Sequence, residues 1–179
     1  MSEAAARGRG GTKVLVEGAL CVALSVVFSY IKLFSMPQGG SITLEMAPLL
    51  YYSYKYGAKW GVLAGTISGV IQMLFGGYVA HPLQGILDYP AAFGSLGLAG
   101  LFGQETRGVI IGTAAAGAAR LLCHVLSGVV FFASYAPEGQ NPWIYSLVYN
   151  VSFLAPSMII TSAASWFLWN KFLKEPLNR

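Results

Sequence analysis

The stretch Val109-Ile-Ile-Gly-Thr-Ala-Ala-Ala-Gly-Ala-Ala-Arg120-Leu-Leu-Cys-His124-Val-Leu-Ser-Gly-Val-Val-Phe-Phe-Ala133 carries a single charged residue. It is longer than the roughly 20 apolar residues that a helix needs to cross a bilayer, and it reads as a membrane span. The rest of the chain has the same character. Of 179 residues, 55% are apolar and 10% charged, against about 45–50% and about 25% in an ordinary soluble domain. With a mean hydropathy of +0.60, the chain is neither a disordered tail, a coiled coil nor a disulfide scaffold. It reads as an all-α integral membrane protein, with length for about six spans and no room for a soluble catalytic domain.

Outward from that stretch, the predicted helices are Val14 to about Lys32, Ile42–Tyr54, Trp60–Phe75, Leu83–Phe102, Val109–Ala133 and Trp143 to about Trp169. Residues 1–13 form a small, basic lead, 14–170 a single six-helix membrane domain, and 171–179 a basic tail. Pro37 and the paired glycines Gly39 and Gly40 break the chain between the first two helices. Cytoplasmic ends carry the excess of Lys and Arg. With six spans and both termini inside, the inner segments collect Arg7, Arg9, Lys13, Lys55, Lys59, Arg107, Lys171, Lys174 and Arg179, nine of eleven basic residues. The net charge of +4 is therefore read as topology and not as a nucleic-acid surface.

Cys21 and Cys123 lie in apolar runs without metal or redox spacing and read as packing residues. Gly57, Gly61, Gly65 and Gly69 recur every four positions, and Gly94, Gly97, Gly100 and Gly103 every three. Such small-residue stripes let helix backbones approach closely, and internal packing is the expected use. Ala19 and Ala23 form a further small-xxx-small pair on the first helix.

Ionisable or strongly polar groups inside spans are costly and call for a reason. Asp88, Arg120, His124 and Asn150 are such groups; six-helix topology puts all four in the outer halves of their helices and brings Asp88, His124, Tyr145 and Asn150 to similar depth. An Asp88–Arg120 ion pair, with His124 and Asn150 on backbone carbonyls, is the plain structural expectation. The surrounding aromatics, among them Tyr78, Tyr89, Phe132, Tyr135 and Tyr149, favour a cavity for a small, aromatic, cationic ligand. Ser127 lies three residues from His124, but no Gly-x-Ser-x-Gly motif, HExxH motif or phosphate loop accompanies it.

Three segments together resemble one family. They are Leu87-Asp-Tyr-Pro-Ala-Ala-Phe-Gly-Ser-Leu-Gly-Leu-Ala-Gly-Leu-Phe102, Arg120-Leu-Leu-Cys-His124 followed by Ser-Gly-Val-Val-Phe-Phe132, and Tyr145-Ser-Leu-Val-Tyr-Asn150. The resemblance, which runs from Val16-Glu-Gly-Ala19 through the last helix, is to the ThiT/YuaJ family, the thiamine-specific S components of energy-coupling factor (ECF) transporters of Gram-positive bacteria and their relatives. It implies a multi-pass subunit of the cell membrane that binds thiamine from outside and catalyses no reaction. The partners it implies are a transmembrane coupling subunit and two ATPase subunits, with no cofactor and no nucleic acid.

Carried over by position, the resemblance implies ligand-binding roles for Asp88, Tyr89, Arg120, His124, Phe132, Tyr145 and Asn150. It also implies a partner face at Ala19 and Ala23. A stacking tryptophan that some relatives carry between the first two helices has no counterpart in Pro37-Gln-Gly-Gly-Ser41. Other readings are an S component for another vitamin, a small intramembrane enzyme using His124 and Asp88 in proton transfer, and a structural protein whose polar groups are merely paired.

Overall fold

Pro48 decides where the second helix begins. A helix running from Ile42 would hold Pro48 in its interior, where the ring collides with the carbonyl four residues back. In the computed structural model, which describes residues 3–37, 39–168 and 171, the helix starts later and Pro48 falls in its first turn. The predicted start at Ile42 is thus corrected to Met46, and the helix α2 is Met46–Tyr56. The residues before it form two short antiparallel strands, β1 (Phe34–Ser35) and β2 (Ser41–Ile42), with Phe34 opposite Ile42.

The other helices lie close to their predicted positions. α1 is Glu3–Tyr30 and extends into the stretch read as a lead. α3 is Ala58–Leu74, α5 is Thr106–Phe131 and α6 is Pro142–Leu168. Trp169, Lys174 and Arg179 lie outside the described residues. Among the described residues, three segments are long and apolar enough to cross a membrane: Gly11–Tyr30, Thr106–Phe131 and Pro142–Phe167. Their outward sides are apolar, as at Leu20, Leu24, Ile110, Ile111, Leu122 and Ile159.

Helix α4 (82–101) is not one regular helix. It is built from Pro82–Ile86 in α form, Leu87–Ala91 in π form, Ala92–Ser95 in α form and Leu96–Leu101 in 3-10 form. Pro90 inside it has no N–H to give and would crowd the carbonyl of Ile86 in an α turn. The wider π turn, closed by Ala92 N–H to the Leu87 carbonyl, accommodates the ring, and such turns recur at functional sites.

The two glycine stripes meet each other. A β-carbon on Gly61 would stand 2.9 Å from the Gly97 Cα, one on Gly65 would strike the Phe93 carbonyl, and one on Gly69 would stand 2.5 Å from the Tyr89 carbonyl. Internal packing is therefore the use of Gly61, Gly65, Gly69 and Gly97, while Gly57 sits in the turn between α2 and α3. Ser53 reinforces this seam, donating to the Gly97 carbonyl at 2.7 Å and accepting from Gly100 N–H at 2.9 Å. α2 stands at the centre, touching α1, α3, α4 and α6. Its Met46, Leu49, Leu50 and Tyr52 join Phe93, Leu96 and Phe153 in the core. Cys21 packs in that core, and Cys123 is half-buried.

Candidate functional site

Because α2 starts late, the chain descends from β2 through Thr43 to Glu45 and leaves room between α4, α5 and α6. That room is a cavity of about 350 Å³, within the range of small-molecule sites. All seven residues implied as ligand-binding line it: Asp88 and Tyr89 from the π turn, Arg120 and His124 from α5, Phe132 just past α5, and Tyr145 and Asn150 from α6. Glu45, Gln84, Tyr149 and Phe153 also line it.

The ionisable groups pair differently from the sequence expectation. Arg120 Nη2 lies 2.7 Å from Glu45 Oε1; the arginine side chain is buried and the glutamate side chain mostly so, at 6% and 12% exposure. Asp88 instead meets His124, with Oδ1 2.8 Å from Nδ1. The expected Asp88–Arg120 pair is thus corrected: Glu45, which lies just before α2 and one turn before Pro48, reaches the guanidinium first. Arg120 also stands 4.1 Å over the Phe93 ring. Its Nη1 is buried without a hydrogen-bond partner among the described residues.

The tautomer of His124 follows from its neighbours. Arg120 Nε has a proton and no lone pair, and it donates to His124 Nε2 at 3.3 Å. Nε2 therefore accepts, so Nδ1 carries the proton and donates to Asp88. Asp88 Oδ2 accepts from Gln84 Nε2 and from Ser127 Oγ, each at 2.7 Å. All three partners of Asp88 are uncharged. Among Glu45, Asp88 and Arg120 the buried charges sum to minus one, and Asp88 is the carboxylate without a cation of its own.

Ser127 donates to the carboxylate and not to the imidazole, so Ser127, His124 and Asp88 lack the nucleophile-to-base hydrogen bond of a triad. Asn150 does bond the backbone, with Nδ2 2.8 Å from the Ser146 carbonyl and 3.4 Å from that of His124. Its side-chain oxygen is left as the acceptor.

The walls are aromatic. Phe132 lies 6.1 Å from Tyr78 and stacks on Tyr135 at 5.9 Å, and Tyr149 stands 6.1 Å from Tyr145 and 6.3 Å from Phe153 between ring centres. Side chains that line the cavity also tie its rim. The Tyr149 hydroxyl donates to the Gly39 carbonyl at 2.8 Å, the Tyr30 hydroxyl to the Phe75 carbonyl at 2.7 Å, and Tyr78 N–H to the Tyr89 hydroxyl at 2.8 Å. Gly40, at φ +85°, lies against the Phe153 ring, where a β-carbon would come within 2.6 Å. Gln84 links the rim to Asp88, since the same Nε2 bonds the Tyr78 carbonyl at 3.1 Å. No side-chain signal in the sequence marks Gln84. Glu45 could have been found as one more carboxylate in an apolar run.

A second, apolar groove of about 590 Å³ lies between α1 and α3. Ala19, Ala23 and Val26 line it on one side, Trp60, Leu63 and Ile67 on the other.

The sequence profile of a family described as thiamine transporter protein (Thia_YuaJ) matches residues 15–175. The thiamine transporter ThiT of Bacillus subtilis is 37% identical over 162 residues, 82% of this chain and 84% of that protein. That of Lacticaseibacillus paracasei is 31% identical over 169 residues, 83% and 82% of the two chains. A solved structure of ThiT from Listeria monocytogenes superposes with a TM-score of 0.81 at 24% identity, covering 90% of this chain and 95% of that one. A structure described as the S component of a bacterial ECF transporter gives 0.56 at 19% identity, covering 89% and 92%. These two likenesses concern the fold.

Proposed function

This chain belongs to the thiamine transporter protein family, and on that premise we propose that it is the thiamine-binding S component of an ECF-type transporter. Six helices cross the cell membrane with both termini cytoplasmic, and the cavity opens outward. The reading draws on the distribution of basic residues and on the Gram-positive relatives.

The observation that carries the substrate is Asp88, a carboxylate whose three hydrogen bonds all come from uncharged groups, in a cavity walled by aromatics. A thiazolium-bearing ligand supplies the missing positive charge, and attraction in that low-dielectric site is stronger than in water. Phe132 and its tyrosine neighbours stack on the ligand rings. Tyr89, Tyr145 and the Asn150 oxygen orient the aminopyrimidine, His124 presents its ring to the ligand while its two nitrogens stay engaged with Asp88 and Arg120, and Arg120 Nη1 offers a donor. Binding is this chain's part. A coupling subunit docks at Ala19 and Ala23 in the groove between α1 and α3, whose smooth apolar lining suits a helix. Two ATPase subunits supply the energy.

The test is calorimetric titration of the detergent-purified chain with thiamine, with riboflavin and biotin as controls. Saturable binding of thiamine alone supports the assignment. Binding of a control vitamin instead, or silence toward thiamine in folded protein, overturns it.

A further inference from the structure

Arg120 is buried, its side chain only 6% exposed, and it sits in a cavity proposed to receive a cation. Such a placement is unfavourable for cation binding unless something cancels it. Glu45 does so, at 2.7 Å from Nη2. The carboxylate is itself held at the start of α2, where the helix dipole favours negative charge.

We propose that Glu45 is a specificity-determining residue: by neutralising Arg120 inside the cavity it leaves Asp88 uncompensated, and so makes the site select a cationic ligand over a neutral one of the same shape. This rests on the thiamine reading above and adds to it the origin of the charge preference. The geometry shows what Glu45 prevents. Arg120 and Asp88 are separated by one imidazole, with Nε 3.3 Å from Nε2 and Oδ1 2.8 Å from Nδ1. Without Glu45 the buried charges sum to zero, and the guanidinium turns its attraction on Asp88. The counter-charge that the ligand needs is then answered from within the protein. Glu45 acts through Arg120 and does not need to touch the ligand.

The experiment compares dissociation constants for thiamine and for its neutral isostere, in which a thiophene replaces the thiazolium. Glu45→Gln keeps the shape of the side chain and removes its charge. Thiamine binding should weaken by about tenfold or more, the weight of one unit charge a few ångströms away in a protein interior. Binding of the neutral isostere should change by less than about threefold, so the preference collapses. Glu45→Asp, which keeps the charge, should retain most of the preference. Glu45→Gln with Arg120→Gln restores the sum of minus one and should restore it too. Arg120→Gln alone, with two carboxylates and no cation, should raise it above wild type, which keeps the test decisive if the first variant fails to fold.

Equal losses for both ligands, no loss for either, or a double variant that does not recover the preference would overturn the assignment. Wild-type protein that binds neither ligand overturns the thiamine reading and this inference with it. Wild type that binds thiamine, with an unchanged preference in Glu45→Gln, overturns this inference alone.

Discussion

Asp88→Asn is the sharpest single perturbation of the site, because an amide is nearly isosteric with the carboxylate and cannot serve all three donors. Gln84 and Ser127 both give protons to Oδ2, and His124 gives one to Oδ1. If the amide oxygen keeps Gln84 and Ser127, the new NH2 faces the His124 Nδ1 proton. Turning the imidazole to its other tautomer relieves that clash, but puts a proton on Nε2 against the Arg120 Nε proton. No arrangement satisfies every group. A hydrogen bond to a charged group contributes about 1.5–3 kcal/mol. A cation about 5 Å from the carboxylate adds roughly 3 kcal/mol at an effective dielectric constant of about 20.

Part of the first contribution falls on the free protein, so binding should weaken by about 2–4 kcal/mol, or roughly thirty- to a thousandfold. Calorimetric titration reads this directly, with a thermal melt to establish folding. A dissociation constant within about threefold of wild type, in folded Asp88→Asn protein, would refute the claim that this carboxylate is the ligand's counter-charge.

Other expectations follow from the packing and the rim. Ala19 or Ala23 changed to Trp should leave thiamine binding intact and abolish uptake in cells or liposomes containing the coupling and ATPase subunits; loss of binding would make that face structural. Tyr149→Phe removes the hydroxyl bond to the Gly39 carbonyl, worth about 0.5–1.5 kcal/mol; stopped-flow measurement should show faster ligand release, and an unchanged off-rate would show that this tie does not retain the ligand. Gly97→Val drives a branched side chain into the backbone at Gly61 and Val62; a large drop in the melting temperature in detergent is expected, against a small one for Gly103→Ala beyond the seam, where nothing lies within 4 Å but the backbone is left-handed.

The helices were legible because span length, glycine spacing and turn residues are local signals. The start of α2 was missed through the local effect of Pro48, which the hydropathy of Ile42, Leu44 and Met46 concealed. The π turn was foreshadowed by Pro90, but its register depends on Gly69 meeting the Tyr89 carbonyl, a contact between residues twenty positions apart in sequence. At the site, the polar residues of α4, α5 and α6 could be named because each interrupts an apolar run. Which charge pairs with which could not be read, since Glu45 and Arg120 are 75 residues apart and nothing in their spacing brings them together. His124 meeting Asp88, and Gln84 joining the rim to it, are likewise products of how helices face one another. The resemblance supplied roles, whereas the charge arithmetic needed geometry.

The seam between α3 and α4 serves as a datum surface, in the machinist's sense. Gly65 and Gly69 meet only main-chain atoms, of Phe93 and Gly94 and of Tyr89 and Pro90, so the height of the π turn above α3 is set at Gly69 by peptide planes and not by the bulk of a side chain. Exchanges at Asp88 or Tyr89 therefore alter what the pocket offers without resetting where it is. A library confined to the cavity-facing side chains, with the glycines untouched, should yield variants that differ in ligand and share one frame. One that relaxes the glycines should lose the frame before it finds a ligand.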